Sequence, residues 1–209
     1  MNALVIAPHP DDEVIGCGGA IRSRVERGER VSVVFLTSGE LGLKHLPRAR
    51  AWKVRETEAR KSSKILGLAK LHFLRQPDWL LGDHVRATAT ALKPLLDEEK
   101  PGIIYLPHPN DGHPDHQATL PILRAALQRC RGLQPKLLAY EVWTPLAAHD
   151  VAVDISRVMP CKLRALRAHR SQLDEFDYVK AMTGLNQFRG ALAGKCRFAE
   201  VFQTLSPGR

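Results

Sequence analysis

Ionisable side chains cluster directly after the first apolar segment of the chain. Residues 4–6 (LVI) lead at once into APHPDDE, which contains His9, Asp11, Asp12 and Glu13. Four such groups at a strand end cost free energy unless they are paired or bind a ligand. Because Mg²⁺ prefers oxygen ligands alone, histidine together with aspartate favours a transition metal.

A second cluster follows another apolar segment, GIIYL at residues 102–106. It contains His108, Asp111, His113, Asp115 and His116, in a loop whose prolines and Asn-Asp-Gly turn restrict its shape. Ligands of open α/β sheets bind at the carboxyl ends of the strands, so the two clusters can meet around one ion. Two imidazoles and one carboxylate would leave a position for water, as in catalytic zinc sites.

Other interpretations of the two clusters stay open at the level of sequence. The glycines at 16, 18 and 19 could bind a dinucleotide, although their spacing is not G-x-G-x-x-G and the carboxylates would repel a pyrophosphate. The first acids could cap a helix, and the second cluster could be a polar surface turn. A metal site of this kind could also belong to a non-haem iron(II) enzyme, to a phosphoesterase or to a binding protein with a vestigial site.

The elements that must position both clusters follow from the hydrophobic pattern. Apolar segments such as VSVVFLT at 31–37 predict strands, and segments such as 16–27, 49–66 and 175–189 predict helices. Strands that alternate with helices predict a Rossmann-like three-layer α/β sandwich with a mostly parallel central sheet. We expect one domain over residues 1–209, in which residues from about 143 form a cap or a sheet-edge extension, with a last edge strand at 197–202.

Composition narrows the class of protein. The 209 residues carry a net charge of +9, but the basic residues are dispersed, which favours a solvated surface over nucleic-acid binding and leaves an anionic substrate possible. The apolar segments are far shorter than the roughly 20 residues that span a bilayer, and no secretory signal is recognised, so a cytoplasmic location without stable membrane insertion is expected. The four cysteines lack the close spacing of a zinc site.

The sequence is compatible with a homo-oligomer and does not specify the number of subunits.

Together the two clusters resemble the motifs of the LmbE-like, or PIG-L, family of zinc-dependent N-deacetylases. These motifs stand here as PHPDDE at 8–13 and HPDH at 113–116, and segments at 37–42, 55–58, 66–67, 140–143 and 169–172 are similar to further family segments. The resemblance implies removal of an N-acyl group, expected to be N-acetyl, from an N-acetylglucosamine-type sugar or glycoconjugate. Hydrolysis of another amide or ester is the alternative.

The resemblance also implies roles for individual residues. His9, Asp12 and His116 would bind one Zn²⁺, for which Fe²⁺ or another divalent ion could substitute. Asp11 would be the general base that takes a proton from the attacking water. His113 would be the positively charged group that stabilises the oxyanion.

Five further residues are candidates, and four of them have an alternative beside the functional role. Asp115 could orient a histidine ring or cap the next helix, and Glu13 has the same two options. Arg55 could grip the substrate or form a surface salt bridge with a nearby glutamate. Tyr140 and His108 could line the substrate pocket, although His108 could equally be loop packing. The loops at 43–50, 76–84 and 143–150 are expected to choose the substrate.

Overall fold

Aliphatic and β-branched segments form seven strands of one sheet. A computed structural model describes residues 1–206 and gives the strands as β1 Ala3–Ala7, β2 Val31–Thr37, β3 Lys70–Gln76, β4 Ile103–Pro107, β5 Lys136–Tyr140, β6 Val151–Asp154 and β7 Ala199–Leu205. Their order is β3-β2-β1-β4-β5-β7-β6, and the first five run parallel. β7 is antiparallel to both of its neighbours.

Helices cover both faces of this sheet. They are α1 Asp12–Glu26, α2 Arg48–Leu66, α3 Val85–Glu99, α4 Pro114–Leu127, α5 Met159–Leu166, α6 Arg170–Leu173 and α7 Tyr178–Arg189. Within β1, Leu4 and Ile6 belong to the core under α3 and α4, whereas Val5 belongs to the core under α1 and α2. Burial on both sides explains why the central strands are continuously apolar. The predicted three-layer α/β class is therefore confirmed.

The structure corrects three predicted elements. The segment predicted as an edge strand at 197–202 belongs to β7, which lies inside the sheet, and half-exposed β6 forms the edge. The first helix begins at Asp12, because the Asp11 carbonyl accepts the first helical hydrogen bonds. The helix predicted from residue 175 begins at Tyr178 and is preceded by the separate α6.

The glycines of α1 serve packing. A Cβ at Gly16 would lie 2.1 Å from the Tyr140 ring, and one at Gly19 would lie 2.5 Å from Ile155. Close approach of the helix to its neighbours therefore accounts for these glycines, and the dinucleotide interpretation loses its main support.

Strand order brings the two ionisable clusters together. β1 and β4 are adjacent and parallel, with Ala3 opposite Ile103, so their carboxyl ends reach the same edge of the sheet. Each cluster follows one of these ends directly. Within residues 1–206, no helix is long and apolar enough to cross a membrane.

Candidate metal centre

Three side chains place one donor atom each around a common point. His9 Nδ1 lies 3.1 Å from Asp12 Oδ2, and His116 Nε2 lies 3.4 Å from each of these two atoms. All three residues are buried. Tetrahedral zinc with bonds of about 2.0–2.1 Å places its ligand atoms about 3.3–3.4 Å apart. The spacing and the nitrogen–oxygen donor set therefore fit a single transition-metal ion.

In both histidines, the ring nitrogen that faces away from the common point is hydrogen-bonded to carboxylates. His9 Nε2 lies 3.1 Å from Asp78 Oδ1 and 3.2 Å from Asp115 Oδ2, while His116 Nδ1 lies 2.9 Å from Asp111 Oδ1. Such partners fix the tautomer and the ring orientation of a ligating histidine. Of the two roles considered for Asp115, the structure therefore favours orienting a histidine ring over capping a helix. Its carboxylate also accepts hydrogen bonds from the N–H groups of residues 79 and 81 and does not cap a helix.

The concentration of carboxylates makes the cluster a site for positive charge. Burial opposes protonation of His116, but Asp12 and Asp111 outweigh it and raise the pKa of His116 to about 9. Burial likewise opposes protonation of His9, yet Asp115, Asp12 and Asp78 raise its pKa well above the usual value. A cation between these groups is therefore favoured electrostatically.

Asp78 is a functional candidate that the sequence motifs did not indicate. It is buried just after β3, and its Oδ2 accepts the N–H of Leu41 at 2.8 Å while Oδ1 faces His9. Asp78 stands alone, without the neighbouring histidines that mark the other two clusters. The available signal was its position, because β3 runs parallel to β1 and ends at the same sheet edge.

His113 lies beside the donor atoms but is engaged elsewhere. Its ring centroid is 4.6 Å from that of His9 and 4.9 Å from that of His116. His113 Nδ1 accepts the N–H of Asp115 at 3.1 Å, which caps α4 and leaves Nε2–H as the donor of a neutral ring. Burial, reinforced by the two neighbouring histidines, lowers the pKa of His113 to about 4. These observations favour a neutral hydrogen-bond donor over the expected positive charge.

Asp11 occupies a strained turn next to the cluster. Its φ of 127° lies in the region that favours glycine, and the strain is held because Asp11 N–H donates to Glu13 Oε2 at 2.9 Å. Burial raises the pKa of Asp11 to about 6, although the Arg55 guanidinium, 3.4 Å from its Oδ1, opposes the rise. Glu13 thus supports the turn by a hydrogen bond, and Asp11 faces the cavity described below.

Arg55 is part of the support beneath that turn. Its guanidinium donates to the Pro10 carbonyl at 2.6 Å and to the Gly39 carbonyl at 3.2 Å, and the residue is buried. The predicted alternative of a surface salt bridge is wrong, because Glu56 pairs with Arg75 and Glu58 accepts from Ser171. Arg55 also reaches the wall of the cavity.

A cavity of about 480 Å³ opens over the cluster. Each of the three loops predicted to choose the substrate contributes to it: Lys44 and His45 from the first, Trp79 from the second and Trp143 from the third. The segment 172–178, which the sequence analysis did not assign to the pocket, supplies a further wall that includes Phe176 and Tyr178. The cavity therefore combines an aromatic rim with a polar, charged floor.

Tyr140 does not line this cavity, which corrects that prediction, and His108 takes its alternative role of loop packing instead of lining the cavity. Tyr140 has no exposed surface, and its hydroxyl donates to the Ile6 carbonyl at 3.0 Å. His108 is buried, and its Nε2 lies 2.7 Å from the Thr144 carbonyl oxygen, so it holds two loops together. The Tyr140 ring packs against Gly16 of α1 instead of facing the cavity, which its residue type alone did not reveal.

Comparisons with known proteins identify the family that the sequence resembles. Residues 4–127 match the family described as PIG-L: GlcNAc-PI de-N-acetylase. The chain is 33% identical to diacetylchitobiose deacetylase of Thermococcus kodakarensis over 191 residues, covering 83% of this chain and 71% of the relative. It is 30% identical to a probable N-acetyl-alpha-D-glucosaminyl L-malate deacetylase 2 of Bacillus cereus over 185 residues, covering 83% and 84%.

A solved structure of a deacetylase has a similar fold. N,N'-diacetylchitobiose deacetylase from Pyrococcus horikoshii, in complex with an inhibitor, superposes with a TM-score of 0.83 at 27% identity, covering 99% of this chain and 84% of that one. The predicted family and the predicted class of enzyme, a deacetylase-type hydrolase, are confirmed by these similarities.

Proposed function

Because the chain belongs to the PIG-L family of de-N-acetylases, we propose that it is a zinc-dependent hydrolase that removes the acetyl group from an N-acetylglucosamine-type sugar or glycoconjugate. One observation carries the proposal. The donor atoms of His9, Asp12 and His116 lie 3.1–3.4 Å apart, and His9 and Asp12 line the floor of a cavity that Asp11 also lines. A metal site next to a buried base is the arrangement that amide hydrolysis by water needs.

The proposed metal ligands are His9, Asp12 and His116. When bound, Zn²⁺ supplies Lewis acidity, which makes water acidic near neutral pH and polarises the amide carbonyl. Nitrogen and carboxylate donors suit zinc, and Fe²⁺ binds to the same set of donors. We propose Zn²⁺ as the native ion.

The chain's own groups carry the proton and the developing charge. Asp11 takes the proton from the attacking water and, once protonated, returns it to the departing amine. A pKa of about 6 suits both steps, because the carboxylate is ionised at neutral pH yet basic enough to accept a proton. His113 donates its Nε2–H to the oxyanion that forms when water adds to the amide carbon.

The rim of the cavity supports a sugar as the substrate. Trp79 and Trp143 are 49% and 50% exposed and flank His113, at centroid distances of 4.4 and 4.9 Å. Their faces offer apolar surface to the C–H face of a pyranose ring, while polar groups of the floor can bind its hydroxyls. Lys44 and His45 at the same rim support an anionic group on part of the substrate.

A release assay tests the proposal. Purified protein is incubated with N-acetylglucosamine, diacetylchitobiose and N-acetylglucosaminides of uncharged and anionic aglycones, and both acetate and free amine are measured. We expect equimolar release that a chelator abolishes and added Zn²⁺ restores. Asp11→Asn should bind the metal but lose turnover, and turnover near that of the unchanged protein would disprove the role of Asp11.

Three expectations from the sequence accompany this proposal as predictions. We propose that residues 1–209 act as one domain, that the protein works in the cytoplasm, and that it binds its substrate without nucleic acid. Size-exclusion chromatography with light scattering would determine the oligomeric state.

A further inference from the structure

Helix α1 is broken where it leaves the metal site. Cys17 has φ −142° and ψ 19°, which are not helical values. In an unbroken helix the N–H groups of Gly19 and Ala20 would donate to the carbonyls four residues earlier. Here they donate to the carboxylate of Glu200, at 2.8 and 2.7 Å.

Lys162 closes the other side of the same break. Its Nζ donates to the Ile15 carbonyl at 2.8 Å, and it lies 2.7 Å from Glu200 Oε1 and 2.9 Å from Asn186 Oδ1. Lys162 has no exposed surface, and Glu200 is 1% exposed. A buried ion pair from the C-terminal part of the chain therefore replaces the missing hydrogen bonds of the helix.

Stability alone does not explain such a pair. Taking two charges out of water costs several kcal/mol per ion, so buried ion pairs are weak stabilisers, and their better attested role is to specify one arrangement. The arrangement specified here is the direction of residues 12–16. That turn contains Asp12 and Glu13 and follows Asp11 directly. At its end, Gly16 packs closely against the Tyr140 ring.

We propose that Lys162 and Glu200 are positioning residues for the metal centre. By closing the break at Cys17 they let the first turn of α1 take a direction that a straight helix could not, and this direction brings Asp12 Oδ2 to the two histidines. The contribution to turnover rests on the proposed function, and the contribution to metal binding rests only on the proposed ligands His9, Asp12 and His116. Both residues lie beyond residue 127, where the family match ends, so the later part of the chain completes the site.

Metal affinity of matched variants tests this inference. Lys162→Met removes the ammonium group and keeps much of the side-chain volume. Arg189→Met is the control, because Arg189 forms another buried ion pair, with Glu141, in the same part of the chain, and its other polar partner is the Leu146 carbonyl. Affinity for Zn²⁺ is measured by chelator competition, and the site geometry by the visible absorption of the Co²⁺-loaded protein.

We expect both variants to lower the melting temperature. Only Lys162→Met should weaken Zn²⁺ binding, by about tenfold or more, and shift the Co²⁺ spectrum, as changes behind a metal ligand do. Equal metal affinity in the two variants, or an unchanged spectrum in Lys162→Met, would overturn the proposal.

A milder variant covers the case in which Lys162→Met does not fold. Glu200→Gln keeps the volume and one good acceptor, so it loses one of the two amide hydrogen bonds at the break. We expect a smaller but measurable loss of Zn²⁺ affinity, and affinity equal to that of the unchanged protein would overturn the inference. If the unchanged protein binds zinc but releases no acetate, the proposed function fails while this inference stands.

Discussion

Replacing Asp78 by asparagine tests whether the carboxylates behind the histidines matter to the metal. Asp78 uses one oxygen for His9 Nε2, at 3.1 Å, and the other for the N–H of Leu41, at 2.8 Å. An asparagine of the same shape has only one good acceptor for these two donors. Asp78→Asn must therefore release either the ring of His9 or the loop at Leu41.

The structure sets the size of the effect. A hydrogen bond to a charged group contributes about 1.5–3 kcal/mol, but Asp115 also accepts from His9 Nε2 and retains part of the hold on the ring. We therefore expect a loss of about 1.4 kcal/mol, which is about tenfold in affinity. This lies at the low end of the roughly 10- to 100-fold range for partners of metal ligands.

The assay compares Asp78→Asn with Asp97→Asn, which makes the same chemical change on the surface, where Asp97 pairs with Lys93. Zinc affinity comes from chelator competition, and kcat/KM from acetate release. We expect Asp78→Asn to lose about tenfold in both, while Asp97→Asn stays within twofold. If Asp78→Asn lowers only the melting temperature and keeps its zinc affinity, the argument that Asp78 orients His9 is refuted.

Further predictions address the base, the rim, the buried tyrosine and the metal. Arg55→Lys keeps the charge but cannot reach all the acceptors around Asp11, so kcat should fall at least tenfold while zinc stays bound; an unchanged kcat would refute the support role. Trp143→Ala should raise KM for the sugar several-fold with a smaller change in kcat, in steady-state assays, and an unchanged KM would remove it from the substrate site. Tyr140→Phe should cost about 1 kcal/mol of unfolding free energy in denaturant titration, because the Ile6 carbonyl loses its donor, with kcat/KM within twofold. Chelation should lower the melting temperature, and added zinc should restore it, because an ion that binds only the folded state stabilises that state.

Strand polarity explains why much of the site could be predicted from sequence. His9 and His116 are 107 positions apart, yet each follows a parallel strand, and the carboxyl ends of adjacent parallel strands share one edge. The expectation that the two clusters meet therefore followed from the alternating strands and helices, whereas the choice of metal ligands followed from the resemblance to the family. Asp111 was seen in the cluster for the same reason, although its hold on His116 was not foreseen.

Residues whose role depends on side-chain direction were less predictable. Tyr140 ends a strand at the correct edge, but its ring turns under α1 and its hydroxyl reaches β1. Arg55 was expected at the surface or on the substrate, and the structure buries it against two backbone carbonyls. Residue type and strand position do not specify which face a ring or guanidinium takes.

The hydrophobic period of the sequence was enough to predict the layered α/β fold, and the two motifs were enough to indicate the family, because both are local patterns of residues. Tertiary structure decided the contacts around the candidate metal centre: Asp78 beside His9, and the Lys162–Glu200 pair at the break in α1. These contacts join segments far apart in the chain, and their partners are chosen by packing. No local pattern records that choice.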